Sequence, residues 1–302
     1  MSHGQGHSHD NCHAPANYQK AFTIGVALNL AYVVAQVAFG ILAHSLALLA
    51  DAGHNFSDVL GLLLAWGAIY LGKTRATPRR TYGLGRSSIL GALSNAILLL
   101  IAVGGITWEA IRRLGTPGEV SGKTVMIVAA AGIAINGTTA LLFSAGRKRD
   151  LNIKGAFLHM AADTAVSAGV VVAGILIIFT GRYWIDPISS LIINIVIVWG
   201  TWGLLRDSLA MALDLVPPSV DPTAVRTYLE NLSGVTAVHD LHIWPLSTTR
   251  TALTVHLEMP NGSRGDEFLH DVCAHLHSDF GIEHSTLQIE RNAEACSLAP
   301  ED

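Results

Sequence analysis

The sequence predicts a bundle of six membrane-spanning α-helices followed by a small soluble domain of mixed α+β type. Three observations carry this. Of the 302 residues, 50% are hydrophobic and only 14% are charged, against roughly 25% charged in an average soluble chain. Six apolar segments, each supplying the ~20 residues a spanning helix needs, follow one another between residues 20 and 206. From residue 208 the texture turns polar and alternating.

The elements follow in order. Residues 1–17 form a polar head carrying His3, His7, His9, Cys12 and His13. Such a cluster suits loose, accessory binding of a divalent ion, or is a solvated tail. The head has no short apolar core, so the first helix is expected to insert as an uncleaved anchor. The apolar segments span 20–42, 45–72, 84–114, 121–146, 153–180 and 184–206, within a membrane domain of residues 18–207. The breaks "KTRATPRRTYGLGR", "RRLGTPGEVSGK", "GRKRDLNIK" and "GRYWIDP" are rich in Gly, Pro or charge.

Basic residues orient the bundle. Loops on one side carry Lys20, Lys73, Arg75, Arg79, Arg80, Arg86, Arg147, Lys148, Arg149, Lys154 and Arg206. The other side carries only Arg112, Arg113, Lys123 and Arg182. The positive-inside rule then places both termini in the cytoplasm. Residues 208–218 read as a linker, 219–294 as a cytoplasmic domain and 295–302 as a tail. The stretch "DPTAVRTYLENLSG" is a capped helix, "VTAVHDLHIWPLS" and "RTALTVHLEMP" are strands, "RGDEFLHDVCAHLHSDFG" is a helix and "HSTLQIER" a last strand. The order α-β-β-α-β is ferredoxin-like. The alternation of Leu253, Val255 and Leu257 with Thr254, His256 and Glu258 turns His256 away from the apolar face.

Composition narrows function. A net charge of −4 offers no basic footprint for nucleic acid. Cys12, Cys273 and Cys296 are too few and too scattered for a disulfide framework and suit a reducing compartment.

The second apolar segment carries Asp51, His54 and Asp58. Each ionisable residue near a bilayer centre costs roughly 2.5–3.5 kcal/mol and ordinarily serves function. His54 and Asp58 stand i, i+4, on one helix face. The fifth segment repeats the spacing with His159 and Asp163. Two imidazoles and two carboxylates are the donor set of a tetrahedral Zn²⁺ site, and the ion compensates the buried carboxylates. An imidazole titrates near neutrality, so protons and Zn²⁺ compete for it. Two nitrogen donors favour Zn²⁺ and admit Cd²⁺, Co²⁺ and Ni²⁺; all-oxygen ligation would suit Mn²⁺ better. Asp51 and Asn55 flank His54 and would either orient a ligand or pack helices. Gln36 and Asn29 in the first helix suit interhelical hydrogen bonds. Two other readings compete. A membrane-bound metal sensor would depend on the soluble domain's histidines, and a hydrolytic metal centre would need a general base that no residue near the two pairs supplies.

"SLALLADAGHNFSDVLGL", "TYGLGR", the His159/Asp163 helix, "WIDPISSL" and "VHDLHIWPL" together resemble the cation diffusion facilitator family, over residues 20–291. The resemblance implies a non-enzymatic transporter that exports Zn²⁺ in exchange for protons, with His54, Asp58, His159 and Asp163 as the transport site. It also implies a homodimer, in membrane lipid, and a cytoplasmic metal site drawn from His239, His256, His284 and Glu290. Gln288 stands where some relatives place a histidine. The loop after the second helix has no Asp, Glu, His or Cys, and the loop between helices 4 and 5 is short and basic. Short loops suggest a bacterial inner-membrane protein. His270, Cys273 and His277 share a face of their helix, and Trp244 is expected in the core.

Overall fold

The computed structural model describes residues 17–72, 76–144, 151–262 and 265–292. The head histidines His3, His7, His9 and His13, together with Cys12 and Cys296, lie outside the described residues. So do Lys73, Arg75, Arg147, Lys148 and Arg149.

Six long helices come first: α1 (Asn17–Leu42), α2 (Leu46–Gly72), α3 (Ser87–Gly115), α4 (Gly122–Ser144), α5 (Leu151–Thr180) and α6 (Ile185–Ala212). Four stretches among the described residues are long and apolar enough to cross a membrane: Ser87–Gly115, Gly122–Leu141, Phe157–Thr180 and Ile185–Ala212. The described apolar part of α1, Ala27–Leu42, is shorter. α2 carries Asp51, His54 and Asp58 in its first half. The chain forms a multi-pass helical membrane domain and a small α+β domain.

By packing, the described chain divides into two compact units: residues up to Val59 with Gly104–Asn194, and Leu60–Val103 with residues from Ile195 onward. In the first, α2 starts on a carboxylate. Asp186, fully buried, accepts hydrogen bonds from Ser45 Oγ (2.5 Å) and the backbone N–H groups of Leu46 (2.7 Å) and Ala47 (3.4 Å). This satisfies donors that a helix N-terminus leaves open and places negative charge at the positive end of the dipole. Glu109 pairs with Arg112 and Arg113, as its i+3 and i+4 spacing suggests.

In the second unit, the soluble part is α7 (Pro222–Glu230), β1 (Ala237–Pro245), β2 (Thr251–Glu258), α8 (Asp266–Phe280) and β3 (His284–Glu290). Asp221 caps α7 by accepting from the N–H groups of Thr223 and Ala224, with Pro222 at the first turn. The sheet order is β1-β2-β3, with β1–β2 antiparallel and β2–β3 parallel. Leu253, Val255 and Leu257 of β2 are fully buried against Val225 and Leu229 of α7 and Val272 and Leu276 of α8. Trp244 is half-buried and lies outside this core cluster.

The connector between α2 and α3 packs on the domain within the same unit. The Tyr82 ring meets His284 edge-on, centroids 5.3 Å apart. Ser88 Oγ accepts from Thr248 N–H at 3.1 Å, and Arg86 pairs with Asp214. A Cβ at Gly85 would lie 2.8 Å from the Leu246 carbonyl oxygen, so only glycine permits this approach.

Candidate metal centre

α2 and α5 are adjacent in chemistry because their spacings match. The i, i+4 repeat puts His54 above Asp58 on α2 and Asp163 above His159 on α5. The imidazole of each helix therefore meets a carboxylate of the other. His54 Nε2 lies 3.1 Å from Asp163 Oδ1, and His159 Nε2 lies 3.5 Å from Asp58 Oδ2. The same-helix contacts close the group at 3.8 Å (His54 to Asp58) and 3.7 Å (His159 to Asp163). Ligand atoms of His54, Asp58 and Asp163 all fall within 4.8 Å of one another. His159 stands outside that group of three but reaches both carboxylates, Asp58 at 3.5 Å and Asp163 at 3.7 Å. Its ring centroid lies 6.3 Å from that of His54, at 69°.

Exposure is graded across this group. The His159 side chain is 46% exposed, those of Asp58 and His54 about a quarter, and that of Asp163 3%. Asp58 Oδ2 and His54 Nδ1 are buried without a hydrogen-bond partner. Buried polar atoms are normally satisfied, so the orphaned Asp58 oxygen fits a place meant for a cation, whereas His54 Nδ1 is the ring nitrogen that does not meet the carboxylates.

Asp51 and Asn55 are also buried, and neither joins the group of His54, Asp58 and Asp163. Gln36 Nε2 donates to Asp51 Oδ2 at 2.7 Å, and Asn55 Nδ2 donates to Gln36 Oε1 at 3.0 Å. Gln36 thus makes the interhelical bonds its sequence position suggests. Ser167 Oγ donates to the same Asp51 oxygen at 3.3 Å. Ser167 was not foreseen. A serine inside an apolar helix carries no periodic signal beyond standing four residues after Asp163.

The soluble domain brings together a second group. His239 Nε2 lies 3.1 Å from Glu290 Oε2, and His256 Nδ1 lies 3.2 Å from Glu290 Oε1. The two rings stand edge-to-face at 5.2 Å. Register explains it: His239 pairs with His256 across β1–β2, and Glu290 ends β3 beside Glu258. His256 lies off the apolar face of its strand and is 6% exposed, so this second face is covered as well. The structure does not bring His284 into this group. It begins β3 opposite Ala252, four residues before His256 on β2, or about 13 Å along a strand. Its ring packs on Tyr82 instead. Asp240 takes a place that sequence reading missed. A bulge between His239 and His242 sets Asp240 at φ 49°, and its Oδ2 comes within 3.5 Å of His256 Nε2. Gln288 donates to Glu290 Oε1 at 2.6 Å. On α8, burial pushes the Cys273 thiol pKa up.

Paired imidazoles and carboxylates inside a multi-pass helical domain are the chemistry of a protein that handles metal cations within a membrane. The comparisons identify which. Residues 22–211 match the model of the cation efflux transmembrane domain, and residues 217–292 that of the cation efflux protein cytoplasmic domain. The chain belongs to the cation efflux family, whose members are transporters and not enzymes. It is similar to the cation efflux system protein CzcD of Alcaligenes sp. (strain CT14), at 36% identity over 95% of this chain and 90% of the relative. It is also similar to the zinc transporter ZitB of Escherichia coli (strain K12), at 33% identity over 96% and 93%. A third relative is the cadmium, cobalt and zinc/H(+)-K(+) antiporter of Bacillus velezensis (strain DSM 23117 / BGSC 10A6 / LMG 26770 / FZB42), at 33% over 95% and 93%.

Proposed function

We propose that this protein is a proton-coupled Zn²⁺ antiporter that exports zinc from the cytoplasm through the four-ligand group His54, Asp58, His159 and Asp163. The observation that carries this is the interleaving of the two i, i+4 pairs, which sets each imidazole beside a carboxylate of the other helix. Zn²⁺ is the cargo. Two carboxylates neutralise it, two imidazoles supply the nitrogen donors it prefers over Mn²⁺, and four donors match its tetrahedral habit. Loading from the cytoplasm expels protons from the imidazoles, and protons taken up on the other side displace the ion. The name of the Bacillus velezensis relative extends the cargo to Cd²⁺ and Co²⁺, which the same donors accept.

In this reading six helices span a bacterial inner membrane, both termini lie in the cytoplasm, and two copies associate. His239, His256 and Glu290 form the cytoplasmic metal site, joined by Asp240 rather than His284. The head residues His3, His7, His9, Cys12 and His13 are an accessory metal-binding segment.

The test is Zn²⁺ flux into proteoliposomes under an imposed pH gradient, comparing wild type with Asp163→Ala. Flux that follows the gradient and vanishes in the variant supports the proposal. Undiminished flux in the variant would sink the four-ligand site. Wild-type flux indifferent to the gradient would remove proton coupling.

A further inference from the structure

α2 and α5 run antiparallel in their ligand pairs, so the contacts between them form rungs. Asp58 faces His159 at 3.5 Å, and His54 faces Asp163 at 3.1 Å. One turn further along, Asp51 faces Ser167 at 3.3 Å. The third rung differs in kind from the first two. It offers one carboxylate and a hydroxyl, with no imidazole. It is also the most deeply buried: Asp51 is 1% exposed and Ser167 and Gln36 are fully buried, while exposure in the first rung reaches 46%.

A buried carboxylate is costly unless hydrogen-bonded or paired. Asp51 Oδ2 takes two hydrogen bonds, from Gln36 Nε2 at 2.7 Å and from Ser167 Oγ. Gln36 is itself held by Asn55, the residue after His54. The bonds thus join three helices, α1, α2 and α5, around one oxygen atom. Bonds to an ionised acceptor are the shorter and stronger kind. Asp51 Oδ1 has no partner, so the carboxylate is held from one side only, the side facing α1 and α5.

We infer that Asp51 is a positioning residue: the Asp51–Ser167–Gln36 rung fixes the spacing of α2 and α5 at the metal site, and that spacing selects the cation by size. This rests on the reading of the four residues as the transport ligands. All four come from two helices, so the width of their cage is the helix separation itself. Zn²⁺ takes nitrogen and oxygen ligands at about 2.0–2.2 Å, and a larger ion such as Cd²⁺ needs the helices further apart. A rung one turn away resists that widening without touching the ion. Loss of the rung lets the cage dilate, and discrimination falls while the ligands remain.

The experiment measures kcat/KM for Zn²⁺ and for Cd²⁺ in proteoliposomes, for wild type, Asp51→Asn, Asp51→Ala, Ser167→Ala and Asp163→Ala. The Zn²⁺/Cd²⁺ ratio is expected to fall about fivefold in Ser167→Ala and in Asp51→Ala, the effect of roughly one net buried hydrogen bond. Asp51→Asn, which keeps an acceptor oxygen, is expected to recover most of it. A merely structural role would lower both rates together, and an unchanged ratio in Ser167→Ala and Asp51→Ala would overturn the inference. Should Asp51→Ala fail to fold, Ser167→Ala decides alone, since it removes only a hydroxyl. Asp163→Ala separates the two proposals: full transport there refutes the ligand assignment, whereas loss there with an unchanged ratio in Ser167→Ala refutes only the rung.

Discussion

Replacing Gly174 by alanine should weaken the membrane domain by an amount that the α4–α5 seam sets. At this crossing the two helices meet through their backbones. A Cβ on Gly174 would lie 2.9 Å from the Gly122 carbonyl oxygen, 3.0 Å from the Met126 nitrogen and 3.2 Å from Met126 Cβ. A Cβ on Gly122 would lie 2.8 Å from the Gly174 carbonyl oxygen. The close approach is therefore reciprocal, and backbone atoms cannot swing aside. The helices must part by about 0.5 Å, which forfeits a quarter to a half of the dispersion attraction at each contact along the seam. Overpacking of this kind costs about 1–3 kcal/mol. Better helix propensity returns about 0.5–1 kcal/mol of that. Gly169, on the same helix, is an internal control because a Cβ there meets nothing within 4 Å. Gly169→Ala keeps the propensity gain with no clash. The two alanine variants should therefore differ by roughly 2 kcal/mol, several degrees in thermal midpoint at about 2–4 °C per kcal/mol. Thermal unfolding of the purified protein in detergent measures this. A Gly174→Ala midpoint equal to or above that of Gly169→Ala would refute the reasoning.

Two further outcomes follow from the soluble domain. Equilibrium dialysis of the full chain with Zn²⁺ should show Glu290→Gln binding about one ion per chain fewer than wild type, since a charged ligand is lost. His284→Ala should bind as many as wild type, and a matching loss there would put His284 back among the ligands. The raised Cys273 pKa leaves less thiolate at any given pH. In a Cys12→Ser/Cys296→Ser background, alkylation at pH 8 should be slower than that of free cysteine and accelerate as pH rises further. A rate at pH 8 matching free cysteine would count against burial as the controlling factor.

The parts of this protein legible in its sequence share one property: a short, repeated spacing. Six apolar runs mark six long helices, and an i, i+4 pair repeated in two of them marks four residues that fold together. The elements of the soluble domain were legible for the same reason, from alternation in β2 and from Asp221-Pro222 at the start of α7. What was not legible depends on separations that no local period encodes. Gln36 reaches Asp51 from fifteen residues away, and Ser167 from one hundred and sixteen. Asp240 faces His256 only because a bulge sets its backbone at φ 49°.

His256 and His284 show the limit from opposite sides. Strand alternation correctly separates His256 from Leu253, Val255 and Leu257, but it states only that β2 has two faces. It does not say what covers the second one. Because β2 lies between β1 and β3, neighbouring strands bring His239 and Glu290 over that face, and His256 is buried there. His284 sits on the same strand as Glu290, six residues earlier. Parallel register carries the whole offset into space, so shared strand membership separates these two residues where it unites others. A histidine is thus a candidate ligand by its chemistry alone, and register decides whether it has a carboxylate within reach. His256 has Glu290 at 3.2 Å and His284 has the ring of Tyr82. That difference is why dialysis of the two variants tests the register itself as well as the ligand set.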